Sequence, residues 1–329
     1  VLNKGLDPVF TNKLGVPDLM LAGAPVKLTE TNERFALPAD LTIDADGMAI
    51  DAGVMDAFKH AVARGAAGQA DVVLRVADVF DDASLSADEK AKLQSLEAFK
   101  LTLKSGEATI TGRTREGVLR GMATLMLMAN RGRFMPNADL PSLVLYDAPR
   151  MAYRGWMLSG HNSKEELQRA IDVAFLLRMN KVMIALGSYS TPTAFPFDSY
   201  PIGDKSRTKQ EFIDIFNYAR ARGIEPIPYM SPWNRAQYLK VTPGGEALLA
   251  PDPDNKAKGT TLNLDAANPA AAAVMLGLME EIIDTLHPEN FCIAMDEVHY
   301  APTLTSPAAQ EKGWSVSDWF VACINMTHE

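Results

Sequence analysis

The stretch MAYRGWMLSGHNSKEELQRAIDVAFLLRMNKVMIALG, residues 151–187, decides the fold. An apolar run, MAYRGWML (151–158), precedes a helical pattern, KEELQRAIDVAFLLRM (164–179), and a second apolar run follows, KVMIALG (181–187). Short apolar runs on either side of an amphipathic segment mark two parallel strands joined by a helix. The rhythm then repeats. Helix KQEFIDIFNYARARG (209–223) leads into strand IEPIPYM (224–230), helix AAAAVMLGLMEEIIDTL (270–286) into FCIAMDEV (291–298), and SVSDWFVACINMTHE (315–329) follows. Such units predict right-handed crossovers between parallel strands. Runs apolar on both faces fit the inside of a barrel or a doubly wound sheet.

Upstream of residue 150 the elements are mixed. FALPADLTID (35–44) and DVVLRVAD (71–78) read as strands with an amphipathic helix near 51–65 between them. EAFKLTLKSGEATITGR (97–113) alternates apolar and polar residues across Ser105-Gly106, which predicts a hairpin. REGVLRGMATLMLMAN (115–130) carries Leu and Met at helical spacing, a core-packing pattern, and LPSLVLYDAPR (140–150) leads out. Residues 1–150 are therefore expected to form a compact α+β domain with helices on a mainly antiparallel sheet. Residues 151–329 are expected to form the first half of a (β/α)8 TIM-type barrel. A complete barrel takes about 250 residues, and the 329-residue chain leaves far fewer than that after position 150. Half a barrel exposes two raw sheet edges. The chain thus reads as a fragment, or as one completed by a further segment or subunit.

Composition narrows the function. The net charge is -9, from 32 basic and 41 acidic residues, with no Lys/Arg-rich run, which argues against nucleic acid or an anionic membrane as partner. No apolar run reaches the roughly 20 residues of a membrane span. The start, VLNKGLDPVF, lacks the basic-then-apolar pattern of a signal peptide. Two cysteines suit neither a disulfide scaffold nor a zinc cluster, and Cys292 reads as a small core residue. Five histidines show no metal-ligand spacing, so no metal is expected. Gly244-Gly245 follows no strand-to-helix junction and makes a poor phosphate loop, and no cofactor is expected.

Parallel α/β folds place their chemistry at the C-terminal ends of strands. Asp296 and Glu297 end the fourth apolar run of this region, where an ionised pair must be solvated, paired or used. Other acidic doublets, at 81–82, 88–89, 165–166 and 280–281, fall in loops or helices, where a solvated face accounts for them. Adjacent strand residues point to opposite faces. The strand must therefore end or bulge if both carboxylates are to reach one ligand.

Phe-x-Ile-x-x-Asp-Glu-Val at 291–298 resembles the catalytic strand of family 20 glycoside hydrolases, the β-N-acetylhexosaminidases. Tyr153-Arg154-Gly155-Trp156-Met157-Leu158 resembles their first barrel strand, the helix ending in Met179-Asn180 is similar to the one after it, and ARGIEPIP (221–228) to the approach to strand three. GEATITGRTREGVLRGMATLMLM resembles the small domain that precedes the barrel. The resemblance implies substrate-assisted hydrolysis of a terminal β-linked N-acetylhexosamine, with no enzyme nucleophile. Glu297 would be the general acid/base, Asp296 would hold the acetamido group, and Arg154 would grip sugar hydroxyls. A carbohydrate substrate and a periplasmic or secreted location, after removal of a signal, are implied with it.

Several positions depart from the family pattern. The end of strand two reads Ile184-Ala185-Leu186-Gly187-Ser188-Tyr189, where the family carries acids. Pro228-Tyr229-Met230-Ser231-Pro232-Trp233-Asn234-Arg235 lacks the family's histidine after strand three, and Cys292 stands where the family has histidine. Tyr229 and Trp233 are candidates for a sugar platform or for rim packing. Asn234 could bond a hydroxyl or serve a turn. His161 and His299 flank strand ends, as pocket or surface residues. Arg154 also has a structural reading, a salt bridge to Asp147 or Asp296. Two alternatives stay open: a non-catalytic carbohydrate-binding or structural relative, and a retaining glycosidase of another family with its nucleophile elsewhere.

Overall fold

The structure is a computed structural model, and it describes residues 23–65, 68–78, 82–130, 139–187, 194–199, 207–233, 236, 239, 242–251, 263–295 and 306–328. Two compact units emerge. The first runs through Arg154 and also takes Asp172–Asn180 and Ala221–Ile224; the second holds Gly155–Ile171, Lys181–Arg220 and the residues from Glu225 on. The boundary therefore falls four residues past the expected one, and two later pieces of chain join the first unit.

In the first unit, strands β1 (Lys27–Phe35), β2 (Asp40–Asp44), β3 (Gln69–Val76), β4 (Phe99–Lys104), β5 (Glu107–Gly112) and β6 (Leu140–Asp147) form one sheet in the order β1-β6-β4-β5-β3-β2. The pairs β1/β6, β6/β4 and β4/β5 are antiparallel, and β5/β3 and β3/β2 are parallel. The hairpin read from alternation is β4–β5, turning at Gly106 with φ 75°. Its inward row, Phe99, Leu101, Leu103, Ala108 and Ile110, is buried. Helix α1 (Ala52–Val62) starts at Asp51, whose side chain accepts from Val54 N, and a short α2 (Ala87–Lys92) carries a full Ser86/Glu89 capping box.

Helix α3 (Arg115–Asn130) lies against α1 and β3–β5 and is buried along most of its length. Two glycines one turn apart set its distance from the hairpin. A Cβ at Gly117 would fall 2.4 Å from the Ala98 carbonyl oxygen, and one at Gly121 would fall 2.4 Å from Ile110 Cγ2. Gly117→Ala gains up to about 1 kcal/mol of helix propensity. It also forces a methyl into backbone that cannot move aside, at a cost of about 1–3 kcal/mol or more. The expected result is a net loss of stability, read as a lower urea midpoint at unchanged slope. A raised midpoint would show that the helix has room to shift.

In the second unit, β7 (Gly155–Ser159), β8 (Lys181–Gly187), β9 (Glu225–Met230) and β10 (Cys292–Ile293) make a sheet in the order β10-β9-β8-β7, all pairs parallel. Helices α4 (Lys164–Leu176), α5 (Lys209–Ala221) and α6 (Pro269–Leu286) connect successive strands, and α7 (Pro307–Glu311) and α8 (Val316–His328) follow. The β–α alternation expected from residues 151–298 is thus present in order. Val182 and Ile184 are fully buried, as a central strand requires. On β7, Trp156 and Met157 are 40% and 45% exposed, and among the described residues β7 and β10 each bond to one neighbouring strand. No helix among the described residues is long and apolar enough to cross a membrane.

Candidate functional site

Because β7–β10 are parallel, their C-terminal ends, Ser159, Gly187, Met230 and Ile293, lie along one edge of the sheet. Parallel pairing continues one residue beyond β10: Ala294 N donates to Met230 O at 2.8 Å. Asp296, Glu297 and His299 come next in the chain and lie outside the described residues, as does Asn234.

Two expected site residues sit at or near this edge. Tyr229 is half-buried in β9, in register with Cys292 on one side and Ala185 on the other. His161 is exposed just past β7, after Gly160 N has bonded to Ala185 O at 2.9 Å. Cys292 is half-buried, and burial pushes its thiol upward, away from thiolate chemistry.

Trp233 departs from the platform reading. Its side chain is fully buried, and its carbonyl accepts from Leu264 N at 2.9 Å. A flat apolar face must be open to stack on a sugar, so in this conformation Trp233 is a packing residue. Nearby, buried Asp265 accepts from Ser306 Oγ at 2.7 Å and Ala267 N at 3.1 Å, which gives it a structural employment. Two polar groups just past β9 remain buried with no hydrogen-bond partner among the described residues, Ser231 Oγ and Trp233 Nε1. Trp233 stood out in the sequence only as an aromatic, and neither a serine nor a tryptophan carries a sign of being left unpaired.

Arg154 is also placed differently from the expectation. It precedes β7 and so lies at the strand's N-terminal end, away from the edge where parallel folds put their chemistry. Its guanidinium is fully engaged inside the first unit. Nη2 donates to both oxygens of Glu97 at 2.8 and 2.7 Å, Nε to Arg178 O at 2.8 Å, and Nη1 to Met151 O at 2.7 Å. Among the described residues its carboxylate partner is Glu97 and not Asp147, while Asp296 lies outside them. Asp147 pairs with Arg178 instead.

Glu97 also accepts from Arg120 Nε at 2.7 Å, and Arg120 Nη2 reaches Gly223 O at 2.6 Å. Asn180 completes the cluster: its Oδ1 accepts from Arg154 N at 3.0 Å and its Nδ2 donates to Ala152 O at 2.7 Å. Burial would raise the Glu97 carboxyl, yet the Arg120 charge and the bonds from Arg154 and Arg120 outweigh it and hold the group below its ordinary value. Arg154 and Asn180, two residues that carry the resemblance, thus serve a buried ion-pair hub. Among the described residues no group of three or more His, Cys, Asp or Glu side chains is arranged to hold a metal.

Comparison with known proteins agrees with this architecture. Residues 21–148 match Glycosyl hydrolase family 20, domain 2. Over that stretch the chain is similar to the family 20 glycosyl hydrolases. It is 25% identical over 178 residues to the mouse beta-hexosaminidase subunit alpha, covering 50% of this chain and 33% of that protein. It is 25% identical over 199 residues to a beta-hexosaminidase of Akkermansia muciniphila, covering 54% of this chain and 40% of that one. The solved structure of a Flavobacterium johnsoniae chitobiase superposes with a TM-score of 0.69 at 17% identity, over 93% of this chain and 50% of that chain. The chain therefore spans about half of the chitobiase and less than half of the two curated proteins.

Proposed function

We propose that this chain carries the N-terminal domain and the acid-bearing early strands of a glycosidase that releases a terminal β-linked N-acetylhexosamine. One observation supports the reading: the main chain is still paired to β9 at Ala294, on the edge where parallel α/β folds do chemistry, and Asp296 and Glu297 come two and three positions later in the sequence. The relatives, beta-hexosaminidases and a chitobiase, suggest the substrate class.

In this mechanism Glu297 protonates the glycosidic oxygen while the sugar's own acetamido oxygen attacks the anomeric carbon and the C–O bond to the leaving group breaks. Asp296 accepts the acetamido N–H and balances the positive charge of the cyclic intermediate. Glu297, now ionised, takes a proton from the water that opens the ring and so returns to its acid form. The chemistry asks for no metal and no enzyme nucleophile.

The test is hydrolysis of aryl β-N-acetylglucosaminide and galactosaminide by the full-length gene product and by the 329-residue chain. Turnover of both aryl glycosides is expected. Absence of turnover across a broad glycan panel counts against the hydrolase.

A second reading, a non-catalytic glycan-binding relative, draws support from Trp233, which is packed away, and from Arg154, which is committed to Glu97. Calorimetry separates the two: glycan binding without cleavage by the full-length product favours the second.

A further inference from the structure

The first unit contains an arginine-lined cavity that the proposed reaction does not use. It has a volume of about 200 Å³, and Arg120, Arg150, Arg154 and Arg178 line it alongside one carboxylate, Asp147, and the ring of Phe99. Counting Glu97 behind Arg120 and Arg154, four guanidinium groups face two carboxylates. Guanidinium stays charged at any pH a protein survives, so this excess cannot be shed by deprotonation.

Most of these charges are already spoken for. Arg178 pairs with Asp147, whose other oxygen accepts from Ala148 N at 2.9 Å. Arg154 is bonded to Glu97 and two carbonyls. Arg120 is the exception. It is 1% exposed, Nε and Nη2 are bonded, and Nη1 has no hydrogen-bond partner among the described residues. A buried donor left without an acceptor is destabilising, and more so on a charged group. A protein that keeps such a donor beside a cavity has a place where an anion is favoured. Arg150, at the exposed side, donates from Nη2 to Ala24 O at 3.3 Å and has further donors for a ligand.

We infer that this cavity binds a compact tetrahedral oxyanion, held by Arg120 Nη1 with the guanidinium groups of Arg150 and Arg178 at its flanks. Size supports the choice, because pockets for larger organic ligands usually run from about 300 to 1,000 Å³. So does geometry, because planar guanidinium forks match phosphate and sulfate oxygens two at a time. Asp147 repels an anion, but its charge is matched by Arg178 at direct contact. The anion is free in solution or carried as a monoester on a small molecule; the recognising chemistry is the same.

The experiment is calorimetric titration of the 329-residue chain with inorganic phosphate and, separately, with glucose 6-phosphate, at fixed ionic strength, paired with thermal unfolding in the same solutions. Saturable one-site binding with a matching saturable rise in Tm is expected. Tighter binding of the ester identifies a monoester site, and equal or weaker binding a free-anion site. Arg150→Gln should weaken binding about tenfold while leaving the anion-free Tm unchanged. Arg120→Lys, which keeps the charge and removes the fork, should weaken it further; should that variant fail to fold, Arg150→Gln carries the test. A Tm that climbs without saturation and equally in Arg150→Gln is salt exclusion from the surface. That result, or the absence of binding heat, overturns the inference.

Discussion

Glu97→Gln is expected to lower the unfolding free energy by about 3–5 kcal/mol, the usual consequence of removing one partner of a buried ion pair. The side chain of Glu97 is 15% exposed and is shared by Arg120, 1% exposed, and Arg154, 14% exposed. Glutamine keeps the shape and one acceptor, but it turns an NH₂ toward guanidinium donors and leaves two buried cations without their counter-charge. Marginal stability makes a loss of that size visible as a large fall in the urea midpoint. The exposed Lys92–Asp88 pair, with side chains 59% and 75% exposed, provides the contrast: Asp88→Asn should leave the midpoint unmoved. A shift in Glu97→Gln no larger than in Asp88→Asn would remove the hub from the list of stabilising features.

The same group sets a pH dependence. Its carboxyl lies below the ordinary value of 4.5 in the folded chain, so the unfolded chain binds a proton there first. The stabilisation from Glu97 is therefore complete above about 4.5 and is lost as pH falls through the lower, folded value. The stability gap between the parent and Glu97→Gln should be constant from neutrality down to that region and then close. A gap that widened in acid would mean that the sign of the shift is wrong.

The second large effect concerns the proposed chemistry. In the full-length gene product, Glu297→Gln should reduce kcat by about 10²–10⁴-fold, the usual contribution of a general acid. The loss should depend on the leaving group. A disaccharide must have its oxygen protonated as the bond breaks and should show the full effect; a nitrophenolate leaves unaided and should show far less at the first step. Asp296→Asn should instead impair both substrates alike, because the acetamido group participates whichever group departs. Glucosides without the 2-acetamido group should not be turned over. A trapped covalent glycosyl-enzyme, or equal losses on both leaving groups in Glu297→Gln, would point to a different glycosidase mechanism.

Several elements were legible because their causes are local. Alternation and Ser105-Gly106 announce the β4–β5 hairpin, and the spacing of Leu and Met announces α3. Strand β1 was not legible. KLTETNERF is exposed over most of its length, and an edge strand with polar residues on both faces has no period to read. Helix α2 has six residues, too few for helical spacing to register. Arg154 shows a different limit. Its apolar context said that a buried cation needs an anion, but the anion lies 57 positions earlier in the chain. No local pattern carries that information. Glu97 itself reads as the solvated first residue of a hairpin, and only the packing of α3 makes it a buried counter-ion.

The first unit is not a portable cassette. Cut at residue 150, it would lose Arg154, Arg178, Asn180 and Gly223, and Glu97 and Arg120 would keep only each other. On the ribosome, too, it stays incomplete until residue 224 has emerged, so the small domain finishes only after the first two strands of the next one have appeared. Anyone trimming the gene to study this domain alone should expect an unstable product, and should graft its two outlying pieces before judging it.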